Sequence, residues 1–417
     1  MRAAAGLVSL AVALGAGPVA AVPAAAPDGS AQQVDGDALQ AALEAMVEDG
    51  GFVGVTAQIT GPNGRWSSAA GVRRLDPPAP GARSWDRTRV GSVTKPMVAT
   101  VALQQVARGR WTLGTTVGDV LPGLLPGHDD VTLRQLLSHR SGAPDYLATL
   151  LADVTDLESF LAVIRRPYTD PELVAASNAL PWEFDPGTSF SYSNTNYVVV
   201  AMMLAEATGR PLDRLLRDRV FRPAGMDRTY LATGQGIWGP HLTEYALLFG
   251  QLESLASSDA SLFSGAGAVV STAPDLQRFL RALASGRLLP PRLVRVMRMP
   301  YDDPLAYGLG IFALPDPCPG PNGQQRVLYG HDGATFGTIT LAFASPDGRR
   351  SLTMSATGRD LDTGGIAPEY EEFAYAALLA TCSTPPSGAR STGRVDLPWN
   401  DLAWNDLARH GVAARSR

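Results

Sequence analysis

The chain has 417 residues, of which 45% are hydrophobic and 18% charged, and a formal net charge of -5. That is an ordinary globular composition with enough apolar sequence for a sizeable core. A mildly acidic chain with scattered arginines has no basic face for nucleic acid, so small molecules or peptides are the expected partners.

The amino terminus reads Met1-Arg2 and then an uncharged Ala/Val/Leu/Gly run to Ala21, with an A-x-A-like exit near Ala24 to Ala26. This order predicts a signal peptide over 1–26 and a secreted, extracytoplasmic protein. A retained membrane anchor is the alternative, and Gly15, Gly17 and Pro18 weaken it. A polar linker over 27–37 follows. Ala38 to Val47 is patterned as an amphipathic helix. Val53 to Thr60 and Trp66 to Val72 read as strands around the turn Gly61-Pro62-Asn63-Gly64.

From Ser92 to about Phe263 the pattern is mainly helical. Thr94 to Val106 is apolar nearly all round, which marks a buried helix, with Pro96 tolerable in its first turn. Thr132 to Ser138 is a short helix and Asn196 to Thr208 a longer one closed by Gly209. Tyr146 to Glu183 carries little legible pattern. Ser271-Thr272 with Pro274 opens an amphipathic helix running to Ala284. Strand signals return at Arg326 to Gly330, Thr338 to Ala344 and Ser351 to Ala356, and Pro368 to Ala380 closes as a helix.

Strands at both ends with helices between them predict an α/β (α+β) fold. An antiparallel sheet flanked by helices would come from 38–91 and 264–382, and an all-α part from 92–263. The active site is expected between them. The extension 383–417 contains the repeat Trp399-Asn400-Asp401-Leu402-Ala403 and Trp404-Asn405-Asp406-Leu407-Ala408. Cys318 and Cys382, the two cysteines, are expected to pair in an exported protein. The bridge would close a loop of about 64 residues, worth roughly 4 kcal/mol of chain entropy. Two separate buried thiols are the alternative.

Of 35 basic residues, Lys95 is the single lysine. Arginine cannot lose its proton in a protein, whereas a desolvated lysine can become a neutral base. Ser92 stands three residues earlier, so at helical spacing hydroxyl and amine share a face, near the positive end of the helix. A second group is Tyr192-Ser193-Asn194. A phenol can relay a proton to a leaving group if a nearby cation lowers its pKa, and an asparagine amide can hold a substrate. The third is Gly330-His331-Asp332-Gly333-Ala334, read at the head of a strand. Glycine there permits close approach, and the backbone N–H of Ala334 can join that of Ser92 in an oxyanion hole. Each group alone also suits a bland structural role.

Together, S-x-x-K, Y-x-N and H-x-G resemble the serine β-lactamase and D-alanyl-D-alanine carboxypeptidase superfamily, in the branch with class C β-lactamases, D-aminopeptidases and related esterases. Leu133 to Gly142, Phe221 to Met226, Gly265-Ala266-Gly267 and Tyr307-Gly308-Leu309-Gly310 are similar to it too, so the likeness covers roughly Leu39 to Thr381. The resemblance implies a penicillin-recognising serine hydrolase working by two-step acyl transfer. Ser92 would attack, Lys95 take its proton and Tyr192 supply one to the leaving group. Asn194, His331, Asp332, Gly333 and Ala334 would bind substrate. No metal and no organic cofactor is implied, and His128, His139, His241 and His410 lack metal-ligand spacing. His139 is expected to support the turn from Ser138 to Gly142.

One position departs from the pattern. Asp332 stands where a neutral residue is usual, and its side chain is expected to face the pocket. Two like charges about 4 Å apart repel by roughly 1 kcal/mol in water and 4 at intermediate dielectric. Recognition of a carboxylate weakens by about fivefold to a thousandfold. The expected activity is a D-alanyl-D-alanine carboxypeptidase on cell-wall peptides. The alternatives are an esterase or a D-amino-acid amidase or aminopeptidase, favoured by Asp332, and a non-catalytic penicillin-binding module.

Overall fold

The computed structural model describes residues 34–301, 303 and 306–383. The leader, most of the linker, the extension from 384 with its tandem repeat, and His410 lie outside the described residues. Among the described residues no helix is long and apolar enough to cross a membrane.

In chain order the main elements begin with helix α1 (Gly36–Glu48) and the hairpin β1 (Gly54–Gly61) and β2 (Gly64–Gly71). Helices α2 (Lys95–Ala107), α3 (Leu133–Leu137), α4 (Tyr146–Leu150), α5 (Thr195–Thr208) and α6 (Ala273–Ala284) follow. Strands β3 (Phe312–Asp316), β4 (Arg326–Ala334), β5 (Thr338–Ala344) and β6 (Ser351–Thr357) precede α7 (Pro368–Ala380). The six strands form one antiparallel sheet in the order β2-β1-β6-β5-β4-β3. The early hairpin and the late strands therefore meet in one sheet, as the strand signals required.

Each sheet face has its own core. Ile59, Leu328, Leu341, Phe343 and Met354 pack with Leu43 and Met46 of α1 and with Tyr370 and Phe373 of α7. The helical core is centred on α2, whose Met97, Val98, Val101 and Leu103 are wholly buried among α5, α6 and their neighbours. Burying such side chains is worth about 1.5–3 kcal/mol each, which holds an all-round apolar helix in the interior. Cys318 and Cys382 form a disulfide with Cα atoms 5.4 Å apart, tying the chain after β3 to the end of α7.

Several boundaries differ from the sequence reading. The H-x-G segment forms the last residues of β4, not the head of a strand, because the pairing begins at Arg326. Strand β3 went unread because Pro315 interrupts its β pattern; on an edge strand a missing N–H costs no ladder bond. The stretch read as mainly helical holds short strands, among them Tyr245–Leu248 and Gln251–Ser254, the former paired with Arg359–Asp360. The illegible region after α4 contains helices Leu157–Arg165 and Asp170–Asn178, with capping boxes at Asp156 and Thr169.

Candidate active site

Ser92 stands just ahead of α2. It lies in the 3-10 turn Gly91–Thr94, which runs directly into α2. Gly91 has φ +51, and a Cβ there would meet Ala334 O at 2.4 Å and Ala334 N at 2.5 Å. On the facing strand, a Cβ on Gly333 would lie 2.0 Å from Val90 O and 3.0 Å from Ser92 N. Two glycines thus let the turn and the end of β4 touch backbone to backbone. This brings the N–H groups of Ser92 and Ala334 into one neighbourhood, the arrangement an oxyanion hole needs. Pairing with β3 stops at Gly330, so 331–334 extend beyond that partner.

Lys95 starts α2 and is completely buried. Its Nζ lies 2.8 Å from Ser92 Oγ, 2.8 Å from Asn194 Oδ1 and 3.0 Å from Ala266 O. Asn194 cannot present its amide the other way, because its Nδ2 donates to Asp145 Oδ2 at 2.7 Å. Asn194 Oδ1 and Ala266 O are therefore obligate acceptors and take two N–H bonds from Lys95. The third tetrahedral position points at Ser92, and in the neutral amine it is a lone pair. Burial brings the Lys95 pKa down from 10.5 to about 7, against the opposing charges of Asp145 and Asp332. Near neutrality this amine can accept the Ser92 proton.

Tyr192 is buried, and the Ser92 hydroxyl acts on its phenol. Its ring lies between two neighbours: Lys95 Nζ is 4.8 Å from the ring centroid, and the His139 ring is stacked on it at 4.1 Å. The expectation of a cation-depressed phenol is corrected. Burial, and then the Asp332 charge, push Tyr192 well above the ordinary phenol range. The proton stays on its oxygen, which suits a donor to a leaving group and not a resting base.

His331 is buried in the wall of the site, with Nδ1 2.6 Å from the Asp332 carbonyl and Nε2 2.9 Å from the Tyr307 hydroxyl. Asp332 stands opposite Leu341, on the sheet face that α7 covers. Its carboxylate Oδ1 turns back to 3.1 Å from His331 Nδ1. The charge still acts on Lys95 and Tyr192.

The structure thus gathers Ser92, Lys95, Tyr192, Asn194 and the 331–334 segment. It adds two groups that sequence reasoning missed. Asp145 caps α4 through Leu147 N and receives both the backbone and side-chain N–H of Asn194 at 2.8 and 2.7 Å. Its signal was an N-cap pattern, which says nothing of a second partner 49 residues away. His139, expected only to support a turn, has φ +55 and buries its ring against Tyr192.

The beta-lactamase family model matches residues 39–376. The chain belongs to the beta-lactamase family. Its relatives include penicillin-binding proteins and D-aminopeptidases. A D-stereospecific amidohydrolase from Streptomyces sp. is 34% identical with a TM-score of 0.68, covering 78% of this chain and 94% of that one. A D-aminopeptidase from Cereibacter sphaeroides (strain ATCC 17029 / ATH 2.4.9) is 33% identical over 207 residues, 46% of this chain and 36% of that protein. A penicillin-binding protein of Bacillus subtilis (strain 168) is 25% identical over 300 residues, 68% of this chain and 62% of that protein. The chain thus spans less than two thirds of the length of these two curated relatives.

Proposed function

We propose that this beta-lactamase family member is an exported amidohydrolase that forms an acyl-enzyme on Ser92 and prefers D-amino-acid amides or peptides with a free amine. The carrying observation is the bonding of Lys95, whose two N–H bonds are committed to Asn194 and Ala266 while its third position meets Ser92. Lys95 takes the Ser92 proton as Oγ attacks the carbonyl. The N–H groups of Ser92 and Ala334 receive the oxyanion. As the C–N bond breaks, Tyr192 gives its proton to the departing amine and is reprotonated by Lys95. Water, deprotonated by the same pair, then releases the acid and restores Ser92.

Preference for an amine over a carboxylate is supported by the field. Asp145 and Asp332 both act on Lys95, so the attacking pair sits in a negative field that disfavours an incoming carboxylate. This favours the amidase reading over a D-alanyl-D-alanine carboxypeptidase. The amidohydrolase likeness over most of both chains supports the same choice. Export rests on the leader pattern and on the Cys318–Cys382 bridge, a bond of oxidising compartments.

The test is intact mass spectrometry with a fluorescent penicillin, run beside turnover of D-phenylalaninamide, on wild type and Ser92→Ala. Ser92-dependent amide turnover with slow penicilloylation supports the proposal. Rapid penicilloylation without amide turnover moves the assignment to a carboxypeptidase. Silence of wild type toward both removes the enzymatic reading.

A further inference from the structure

Behind Tyr192 lies a buried polar chain that the acyl-transfer steps do not use. Ser193 N donates to His139 Nδ1 at 3.2 Å. Asn196 Nδ2 lies 3.2 Å from the same nitrogen, while Asn196 Oδ1 accepts from the Ser141 hydroxyl at 2.6 Å. Two donors converge on Nδ1, so it carries no proton, and His139 holds its hydrogen on Nε2. That N–H points at the Tyr307 hydroxyl, 3.2 Å away. Tyr307 lies 2.9 Å from His331 Nε2. His331 Nδ1 faces the Asp332 carbonyl at 2.6 Å and the Asp332 carboxylate at 3.1 Å, both acceptors, so a proton sits on Nδ1 and in the singly protonated ring Nε2 accepts. A backbone donor at one end and a backbone acceptor at the other leave a single direction: His139 to Tyr307 to His331 to Asp332.

We infer that His139 and Tyr307 are positioning residues of the acylation site, forming a one-way hydrogen-bond chain that fixes which ring nitrogen of each imidazole carries its proton and seats the Tyr192 ring against Lys95. The inference rests on the acyl-transfer reading for its consequence, though not for its geometry. The groups around His139 are Lys95 from α2, Tyr192 beside it, Tyr197 from α5, Tyr307 and, beyond it, His331. Around His331 stand Tyr192, Tyr307, Phe312 and Asp332. Burial and the Lys95 charge hold His139 far below the ordinary imidazole range. An imidazolium 4.1 Å from Tyr192 would pull the phenol toward phenolate and oppose the ammonium formed on Lys95 during attack.

The chain contains five histidines, so their imidazole resonances can be assigned one by one. Long-range proton–nitrogen spectra of the labelled, mature protein between pH 5 and 8 test the tautomers without any substitution. The expected result is a non-titrating His139 ring protonated on Nε2, and a proton on Nδ1 of His331. Titration of His139 in that range, or the opposite tautomer at either ring, overturns the inference. These spectra do not depend on turnover, so they stand apart from a failure of the Ser92 assignment. Tyr307→Phe, which keeps the ring and cuts the chain, supplies the functional arm. Its expected effects are a roughly tenfold to hundredfold fall in acylation rate with KM nearly unchanged, and a new ionisation near the ordinary imidazole value of about 6.5. An unaltered rate and pH profile in a normally folded variant would exclude the positioning role.

Discussion

Asn194 decides where Lys95 directs its protons: the amide oxygen accepts from Nζ at 2.8 Å while the amide nitrogen is held by Asp145 at 2.7 Å. A lysine oriented this way works as a base only after losing its own proton. Acylation should therefore rise with pH through the Lys95 value of about 7 and level off above it. Stopped-flow acylation between pH 5 and 9 reads this limb directly. Lys95→Arg should be inactive throughout, because guanidinium keeps its proton at every accessible pH. An active Lys95→Arg variant would end the general-base role.

Asp332 is the departure that separates the candidate substrates. Its charge raises both Lys95 and Tyr192 above where burial alone would place them. Asp332→Asn should shift the acid limb of acylation below that of wild type. It should also speed penicillin acylation relative to a neutral ester by about fivefold to a thousandfold, the factor for removing one like-charge contact. Second-order rate constants for the two acyl donors give both numbers. An unchanged ratio would mean that the carboxylate, turned toward His331, is not felt by the substrate.

Gly333 shows how little room separates the strand from the Ser92 turn. A methyl group there would fall 2.0 Å from Val90 O, and neither backbone can move without displacing Ser92 N. Gly333→Ala should lower acylation by about a hundredfold or more through the misplaced oxyanion donors. It should also cost about 1–3 kcal/mol by overpacking. Single-turnover rates and urea melts separate the two effects.

Much of the sheet and the buried helix was legible because the hydrophobic period is strong there. The turn at 61–64, the apolar run of α2 and the Thr272 cap all gave local signals that the fold respected. Ser92 and Lys95 were found because a lone lysine three residues after a serine is visible in one dimension. Asp145 and His139 were not, because their roles depend on partners 49 and 53 residues away, and nothing local distinguishes them from a helix cap and a turn residue. The Tyr192 ionisation was misread for the same reason. A neighbouring cation can be guessed from a motif, but the burial that outweighs it belongs to the folded core.

Lys95 also carries a stability signature that needs no substrate. Its pKa falls from 10.5 in the unfolded chain to about 7 in the native state. Between those values the unfolded chain binds a proton that the native protein does not. By linkage, this group's contribution to stability rises with pH across that window and is flat below it. Lys95→Met removes the titration while keeping a long apolar side chain. The difference in unfolding free energy, wild type minus Lys95→Met, should be constant below about pH 6 and climb by up to about 1.4 kcal/mol per unit above pH 7. Urea melts of both proteins at pH 5.5, 6.5, 8 and 9 measure it. Parallel pH dependences would show that Lys95 remains protonated when buried, and the proton acceptor for Ser92 would have to be sought elsewhere.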